Sequence, residues 1–239
     1  MKVLTTPLEE TEPQGREHLS AYKIIMKPYR SVLAEISRIP GVIVYVEGIS
    51  LAKDASTTLV HVEFPGKTSV FEEIMGKLRN NPGVIDYKIL YKKKYSLTLA
   101  VQKSLCEFYK YTLQSNRFTF FPYVLKGGIR EFYIVSKEKP KEITFNLSRH
   151  GDVILLERLP LNTAIRNTGQ LSLKIAISDI LTPQQRNILK KAYTLGYYDW
   201  PRKISLSELA EEFEISKATL SEHLRRGEQK LFRLFLESL

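Results

Sequence analysis

The sequence predicts an α+β protein, with a region of mixed strands and helices first and a small all-α unit at the C terminus. Three observations lead to this prediction. Strand-like segments with alternating apolar residues and helix-like segments follow one another in the order β-α-β-β-α-β up to residue 92. A weaker copy of that order covers residues 93–160. From residue 181 onward the apolar period is helical throughout, and helix-start signals recur.

The composition restricts the class of protein further. The chain has 239 residues, enough for two or three domains, and 43% of them are hydrophobic, which suits a folded core. No apolar run is as long as a membrane span, and the first residues lack the apolar segment of a signal peptide. We therefore expect a soluble cytoplasmic protein without membrane association.

Catalytic and metal-binding patterns are missing from the sequence. The single cysteine, Cys106, excludes an internal disulfide and a cysteine-based zinc site; we expect it to be a small core residue on a helix, with a redox-sensing thiol as the alternative. The four histidines lack helical metal-ligand spacing, and Lys126-Gly127-Gly128 lacks the spacing of a phosphate-binding loop. The sequence thus predicts no enzyme, no catalytic residue, no metal site and no cofactor.

The net charge of +10 suits a polyanionic partner, but it is unevenly distributed. From residue 181 to the end, ten Lys or Arg residues stand against eight Asp or Glu residues, a balance of only +2. The remaining +8 belongs to residues 1–180. The C-terminal unit is therefore not a general basic patch, and its cations would have to lie on one side to meet a nucleic acid.

Residues 18–92 are predicted to form a ferredoxin-like βαββαβ domain, after a mobile tail at 1–17 that has no apolar period. Pro-Gly pairs follow both predicted helices, at 40–41 and at 82–83, and suggest internal symmetry. The predicted strands are 21–26, 42–48, 57–64 and 84–90, and the predicted helices are 31–39 and 69–78.

Residues 93–160 are predicted to form a second, weaker βαββαβ domain, which makes the region a tandem repeat. Its predicted helices are 101–113 and a short one within 139–149, between strands at 95–100, 118–125, 130–136 and 152–159. One large mixed sheet is the alternative. We interpret 161–180, rich in Asn, Thr, Ser and Gly, as a linker, with a strand at 171–177 as a variant of that interpretation.

Residues 181–239 carry three helix starts at the spacing of a helix-turn-helix, whose last helix enters the major groove of DNA. Thr182 and Gln185 form a capping-box pattern, and Ser205 and Glu208 form another. Ser216 can cap the last helix. The residues expected to face inward are Ile188, Leu189, Ala192, Leu195, Leu206, Leu209, Ala210, Phe213, Ile215, Leu220 and Leu224.

Three runs of residues carry a resemblance to a known family: Leu181-Thr-Pro-Gln-Gln-Arg, Gly196-Tyr-Tyr-Asp-Trp-Pro-Arg and Ser216-Lys-Ala-Thr-Leu-Ser-Glu-His-Leu-Arg-Arg. This quarter of the chain resembles the bacterio-opsin-activator type helix-turn-helix of archaeal transcription regulators. The resemblance implies a DNA-binding regulator with a variable, sensory N-terminal part. Glu214 and Gly227 depart from the family, which usually has glycine and alanine there; glycine inside a helix costs about 1 kcal/mol.

We therefore predict a sequence-specific, DNA-binding transcription regulator on the nucleoid. The predicted contacts to base edges come from the helix that starts at Ser216, and are Thr219, Ser221, Glu222 and Arg225. The predicted phosphate contacts are Arg202, Lys203, Lys217, Arg226, Arg186 and Lys190, the last two lying on a helix that could instead brace the motif.

The partners predicted with this function are double-stranded DNA and a second copy of the chain, since Leu231, Leu234, Phe235 and Leu239 extend the apolar stripe beyond the motif. Small βαββαβ domains can bind metabolites, so we also consider a small-molecule effector in the N-terminal region, by fold-level analogy. A role in dimerisation or as a spacer is equally open. The rival function is an adaptor that contacts the transcription machinery without choosing a DNA site.

Overall fold

The structure of the protein is a computed structural model, described here for residues 19–113, 117–237 and 239. The tail predicted for 1–17 lies outside the described residues. The strands are β1 (Ser20–Pro28), β2 (Ile43–Leu51), β3 (Ala55–Glu63), β4 (Val84–Lys92), β5 (Ser96–Ser104), β6 (Arg117–Thr119), β7 (Tyr123–Lys126), β8 (Ile129–Ser136) and β9 (Gly151–Leu159). The helices are α1 (Val32–Ile36), α2 (Thr68–Arg79), α3 (Glu107–Leu113), α4 (Pro140–Ser148), α5 (Leu161–Ile180), α6 (Pro183–Thr194), α7 (Leu206–Glu211) and α8 (Lys217–Leu236).

All the strands belong to one sheet, in the order β4-β5-β3-β2-β7-β8-β1-β9, with the short β6 paired to β8. Each pairing is antiparallel. The protein is thus an α+β fold followed by helices, as predicted. The two halves of the N-terminal region meet where β2 pairs with β7, and this pairing makes the sheet continuous.

The prediction of separate domains at 18–92 and 93–160 is wrong, because the halves exchange their first strands. β1 leaves its own half and pairs with β8 and β9, from Ser20 opposite Ser136 to Pro28 opposite Gly151. In return, β5 lies between β3 and β4. Each half of the sheet therefore contains three strands from one βαββαβ segment and one from the other, so neither segment can complete its sheet alone.

The main core lies between the sheet and the helices α1 to α4. Neighbouring residues of a strand point to opposite faces, and Ile24 and Met26 of β1 point into this core, fully buried. Leu97, Leu99 and Val101 alternate in the same way along β5. This alternation explains why the helix predicted for 101–113 begins only at Glu107: residues up to Ser104 continue the strand.

On the opposite face of the sheet α5 packs against β1, β7 and β8, which corrects the prediction of a linker at 161–180. Ala164, Thr168, Ile175 and Ser178 recur at helical spacing and are buried. Hydropathy does not reveal this stripe, because most of its members are small or polar. The two hydroxyls are satisfied within the helix: Thr168 donates to the carbonyl of Ala164 at 2.9 Å, and Ser178 to that of Ile175 at 2.8 Å.

Within the described ranges, no helix is both long and apolar enough to cross a membrane. In the same ranges, no three His, Cys, Asp or Glu side chains converge as a metal site would require.

Candidate nucleic-acid interface

The last three helices, α6, α7 and α8, begin where the sequence predicts, and their caps are formed. The Thr182 hydroxyl accepts from the backbone N–H of Gln185 at 3.2 Å, and the Gln185 side chain accepts from the N–H of Thr182, also at 3.2 Å. Ser205 and Glu208 make the same reciprocal pair. Ser216 accepts from the N–H of Thr219 at 3.1 Å. Each cap satisfies backbone donors that a helix leaves open, which fixes all three starting points.

The helices pack around a small apolar core that holds α8 in place. Its fully or almost fully buried members are Ile188, Ala192, Leu209, Ala210, Leu220 and Leu224. The partly buried residues around them include every other side chain that the sequence predicts to face inward. The small side chain of Ala210, 3% exposed, allows α7 to approach α8 closely. The inward face of the motif is therefore confirmed.

The turn between α7 and α8 contains Glu214 with φ of 53°, the one residue other than glycine with a positive φ in the described part of the chain. The glycine that the family usually has at this position would adopt this conformation freely, whereas a residue with a side chain, such as Glu214, is strained there. Gly196, with φ of 77°, follows the end of α6 and lies in the same left-handed region, which glycine adopts without steric cost.

Glu214→Gly is expected to raise the free energy of unfolding by about 0.5–1 kcal/mol, because relief of left-handed strain exceeds the entropy that glycine adds to the unfolded chain. Urea denaturation followed by circular dichroism measures this change. Glu211→Gly is the matched control, since Glu211 is an exposed helical residue of α7. It should lower stability by up to about 1 kcal/mol. Two changes of the same sign would contradict the assignment of strain to Glu214.

Gly227 lies buried on α8, where a Cβ atom would come within 2.7 Å of Leu189 Cδ1. The departure from the family thus has a local reason: the missing side chain makes room for Leu189 of α6. The close approach involves a side chain and not another backbone.

The outer face of the N-terminal half of α8 is open to solvent. Lys217, Thr219, Ser221, Arg225 and Arg226 are exposed and Glu222 is half-buried. These are the residues predicted to meet DNA, apart from those of the first helix and the loop. Among the residues that the structure describes, none covers this face, so a duplex could reach it.

Glu222 organises the two arginines on that face. Its carboxylate accepts from Arg225 Nε and Nη2, both at 3.1 Å, and it also forms an ion pair with Arg226. Hydrogen bonds from Arg225, and then from Arg226, hold the pKa of Glu222 below its ordinary value. Thr219 is also engaged, since its hydroxyl lies 2.8 Å from the Ser216 hydroxyl. Two of the four candidate base readers, Glu222 and Arg225, are therefore paired with each other before any DNA is present.

The loop between α6 and α7 adds exposed cations beside α8. Arg202 stacks on Tyr197, with its guanidinium carbon 4.5 Å from the ring centroid, and Lys203 pairs with Asp199 at 2.7 Å. Two residues before Arg202, Trp200 is 97% exposed. Trp200 is not among the residues that the sequence predicts to contact DNA. A fully exposed tryptophan next to cations is a candidate contact with DNA. The sequence contains one indication of its exposure, which is the position of Trp200 directly before a proline in a loop.

The first helix of the motif fastens the C-terminal unit to the sheet through Arg186. Its Nη1 lies 2.8 Å from a carboxylate oxygen of Glu63, at the end of β3, and the Glu63 side chain is only 9% exposed. This ion pair supports the bracing role considered for the helix, and the phosphate contact predicted for Arg186 stays a prediction. Lys190, on the same helix, is exposed and stays a candidate.

A second polar joint lies at the C-terminal end of α5. Asp179 accepts from the Ser96 hydroxyl at 2.9 Å, and its backbone carbonyl accepts from Lys93 Nζ at 2.9 Å. The buried ring of His61 stands between Ser178 at 3.4 Å and Thr98 at 3.5 Å. His61 therefore has a structural role. These contacts fix the sheet and α5 to each other just before the motif begins.

Comparison with known proteins defines the class of this domain. Residues 181–233 match the family described as HTH DNA binding domain. The chain is 31% identical over 109 residues to the transcriptional regulator NarO of Haloferax volcanii, covering 46% of this chain and 51% of that protein. It is 31% identical over 108 residues to the dimethyl sulfoxide reductase transcriptional activator of the same organism, covering 45% and 50%.

The bacterioopsin transcriptional activator of Halobacterium salinarum is 42% identical over 57 residues, which are 24% of this chain and 8% of that protein. The C-terminal unit is therefore a helix-turn-helix DNA-binding domain related to those of archaeal transcription regulators, and the predicted resemblance is confirmed. The names of these relatives describe regulators and not enzymes. The chain spans about half the length of the first two relatives. No solved structure is significantly similar to it.

Proposed function

We propose that the protein is a sequence-specific DNA-binding transcription regulator that inserts the N-terminal half of α8 into the major groove. The observation that carries this proposal is the exposed face from Lys217 to Arg226, held outward by a capped three-helix core. Relatives that are transcription regulators share this domain. The N-terminal α+β region would then sense an effector or support dimerisation.

Arg225 is the proposed reader of guanine, and Glu222 is the residue that aims it. A guanidinium that donates two hydrogen bonds to one carboxylate still has donors left for the O6 and N7 acceptors of guanine. Glu222 can alternatively release Arg225 and accept from cytosine. Thr219 and Ser221 would contribute weaker base contacts. Lys217, Arg226, Arg202, Lys203 and Lys190 are the proposed phosphate contacts.

A homodimer is proposed because the C-terminal part of α8 presents large apolar side chains to solvent. Phe232 and Leu236 are 66% and 63% exposed, and Leu239, beyond the helix, is 88% exposed. Apolar surface of this kind is typical of protein interfaces. A dimer would place its two reading helices on half-sites about one helical turn apart. Two protected half-sites at that spacing in a footprint would support it.

The test of sequence reading compares two cations of α8 on an operator selected from random DNA. Arg225→Ala is expected to cost roughly 1–3 kcal/mol on the selected site and to relax discrimination at one base pair, because it removes a base contact. Lys217→Ala should weaken binding to selected and random DNA alike. It should also reduce the slope of log K against log salt by about one unit, because one phosphate contact is lost. Both effects are measured by salt-titrated anisotropy.

Equal binding of both variants and the parent protein to every sequence would show that α8 is not the reading helix. A wild-type protein that bound selected and random DNA equally would favour the adaptor function instead. Lys88→Ala is the control, since Lys88 is exposed on β4, away from the motif. It should leave both the affinity for the selected site and the salt slope unchanged.

A further inference from the structure

A cavity of about 1080 Å³ lies on the side of the sheet that carries α1 to α4. Its wall contains equivalent loops from both halves of the N-terminal region. One half contributes the loop from β1 to α1 and the other the loop from β5 to α3. Small-molecule sites usually occupy several hundred to about 1,000 Å³ and combine apolar walls with a few polar groups. Leu105, Phe108 and Val32 supply apolar wall here.

Arg130, at the start of β8, is the polar group that marks this cavity. Arg130 is only 4% exposed, yet no carboxylate of the described residues forms an ion pair with it. Its Nε is buried without a hydrogen-bond partner among the described residues. Its guanidinium lies over the Phe108 ring, 4.0 Å from the centroid, and its Nη2 reaches the Ser31 hydroxyl only at 3.4 Å. A buried charge without a counter-charge is costly, so a retained one suggests that its partner comes from outside.

A second cation beside Arg130 makes the site positive. Lys103, which also lines the cavity, donates from Nζ to the Tyr109 hydroxyl at 2.9 Å. Burial raises the pKa of the Tyr109 phenol, but attraction to Lys103 and Arg130 outweighs burial and leaves this pKa below its ordinary value. The wall also contains Arg30 and Arg149, against Glu35 and Glu107, and Glu107 is already paired with Lys110 at 2.6 Å. The local field therefore favours a bound anion.

The other buried polar atoms without partners in the described residues lie on the same side of the sheet. They are the Tyr123 hydroxyl and the side-chain oxygens of Ser56 and Thr58. Alternation along β3 places Ser56 and Thr58 on the face of Val60 and Val62, which belong to the main core. Tyr123 lies with its ring 5.8 Å from the Arg130 guanidinium. Unsatisfied polar groups are uncommon in native cores, and Tyr123 places one such group beside Arg130.

We infer that this cavity binds a small organic anion, whose carboxylate or phosphate group pairs with Arg130 and whose apolar body lies against Phe108 and Leu105. A planar guanidinium matches either group with two parallel hydrogen bonds. Cys106, expected in the core on a helix, is instead exposed between β5 and α3 and lies in the wall of this cavity. The bound anion would be the effector of the proposed regulator. Only this regulatory role rests on the proposed function, because binding of the anion itself does not require DNA.

Binding is measured on the full chain without DNA, so that its failure is distinct from failure of DNA recognition. The probes are benzoate and phenyl phosphate, with benzamide as the neutral analogue of benzoate, in calorimetric titration and thermal melting. At least one anion should bind and raise the melting temperature, while benzamide does neither. The stronger of the two anions identifies the preferred group. Arg130→Met should weaken binding of that anion at least about tenfold.

Arg130→Met should also melt at or above the wild-type temperature in anion-free buffer, because it removes an unpaired buried charge. A merely structural arginine would give a lower melting temperature. Arg158→Met, at an exposed position of β9, is the control and should bind the anion like wild type. If Arg130→Met does not fold, Arg130→Lys keeps the charge without the paired geometry and should bind more weakly. The inference is wrong if neither anion binds, if benzamide binds as well as benzoate, or if the Arg130 variants keep full affinity.

Discussion

Leu220→Ala is expected to lower the free energy of unfolding by about 2–5 kcal/mol, the range for a fully buried leucine whose cavity cannot collapse. Leu220 is 0% exposed and lies at the centre of a core with only six fully or almost fully buried members. A core this small has few neighbours that can move to fill the space. Since α8 carries the proposed reading face, the same change should reduce DNA affinity through loss of the folded domain.

Urea denaturation followed by far-ultraviolet circular dichroism measures this effect, because α5 to α8 supply much of the helical signal. Leu173→Ala is the matched control: the same substitution on another helix, α5, at a side chain that is 54% exposed. It should change stability by no more than about 0.5 kcal/mol. Similar losses for both variants would mean that Leu220 is not the centre of the core.

The helix-turn-helix could be predicted because its signals are local. Thr182, Ser205 and Ser216 cap helices through contacts with residues three positions away, so a single sequence contains both partners. The inward residues of each helix recur at a regular spacing. The same spacing predicted which side of α8 would be exposed. None of this requires knowledge of distant parts of the chain.

The sheet could be predicted only in part, because strand partners are distant in sequence. The pattern of apolar residues predicts most strands, but β1 fits either half of the sheet equally well by that pattern. Its actual pairing joins Ser20 to Ser136, and only the assembled sheet decides it. α5 was missed for another reason: its buried stripe consists largely of Ala, Thr and Ser, and the sheet, not hydropathy, makes it a core element.

Among the residues of the candidate sites, too, some contacts can be predicted from neighbouring positions in the sequence and others cannot. The ion pair of Arg186 joins residues that lie 123 positions apart, so no local pattern announces it. Arg130 is different, because Arg130, Phe132 and Ile134 alternate along β8, and this spacing places the arginine on the buried face. An inward-pointing arginine at the start of a strand was therefore a signal in the sequence.

Arg186→Met is expected to cost about 2–3 kcal/mol of stability and to loosen the DNA-binding domain from the sheet. Removal of one partner from a buried pair costs about 3–5 kcal/mol, and the lower figure here allows for the 31% exposure of the Arg186 side chain. The Glu63 carboxylate would lose its counter-charge while only 9% of its side chain is exposed. Hydrogen exchange at the junction of α5 and α6 should become faster.

A double-mutant cycle that combines Arg186→Met with Glu63→Gln measures the coupling energy between the two side chains, apart from their contacts with other residues. The double variant should be more stable than the sum of the single changes implies, by about 0.5–3 kcal/mol, because residues in one ion pair do not act independently. Lys190→Met, an exposed position of the same helix, should change stability by no more than about 0.5 kcal/mol. A coupling energy near zero would contradict the joint. If the coupling is present, the orientation of α8 depends on a contact with β3, the strand that also places Thr58 beneath the helix layer. A change in the position of β3 would then alter the orientation of the helix proposed to read DNA.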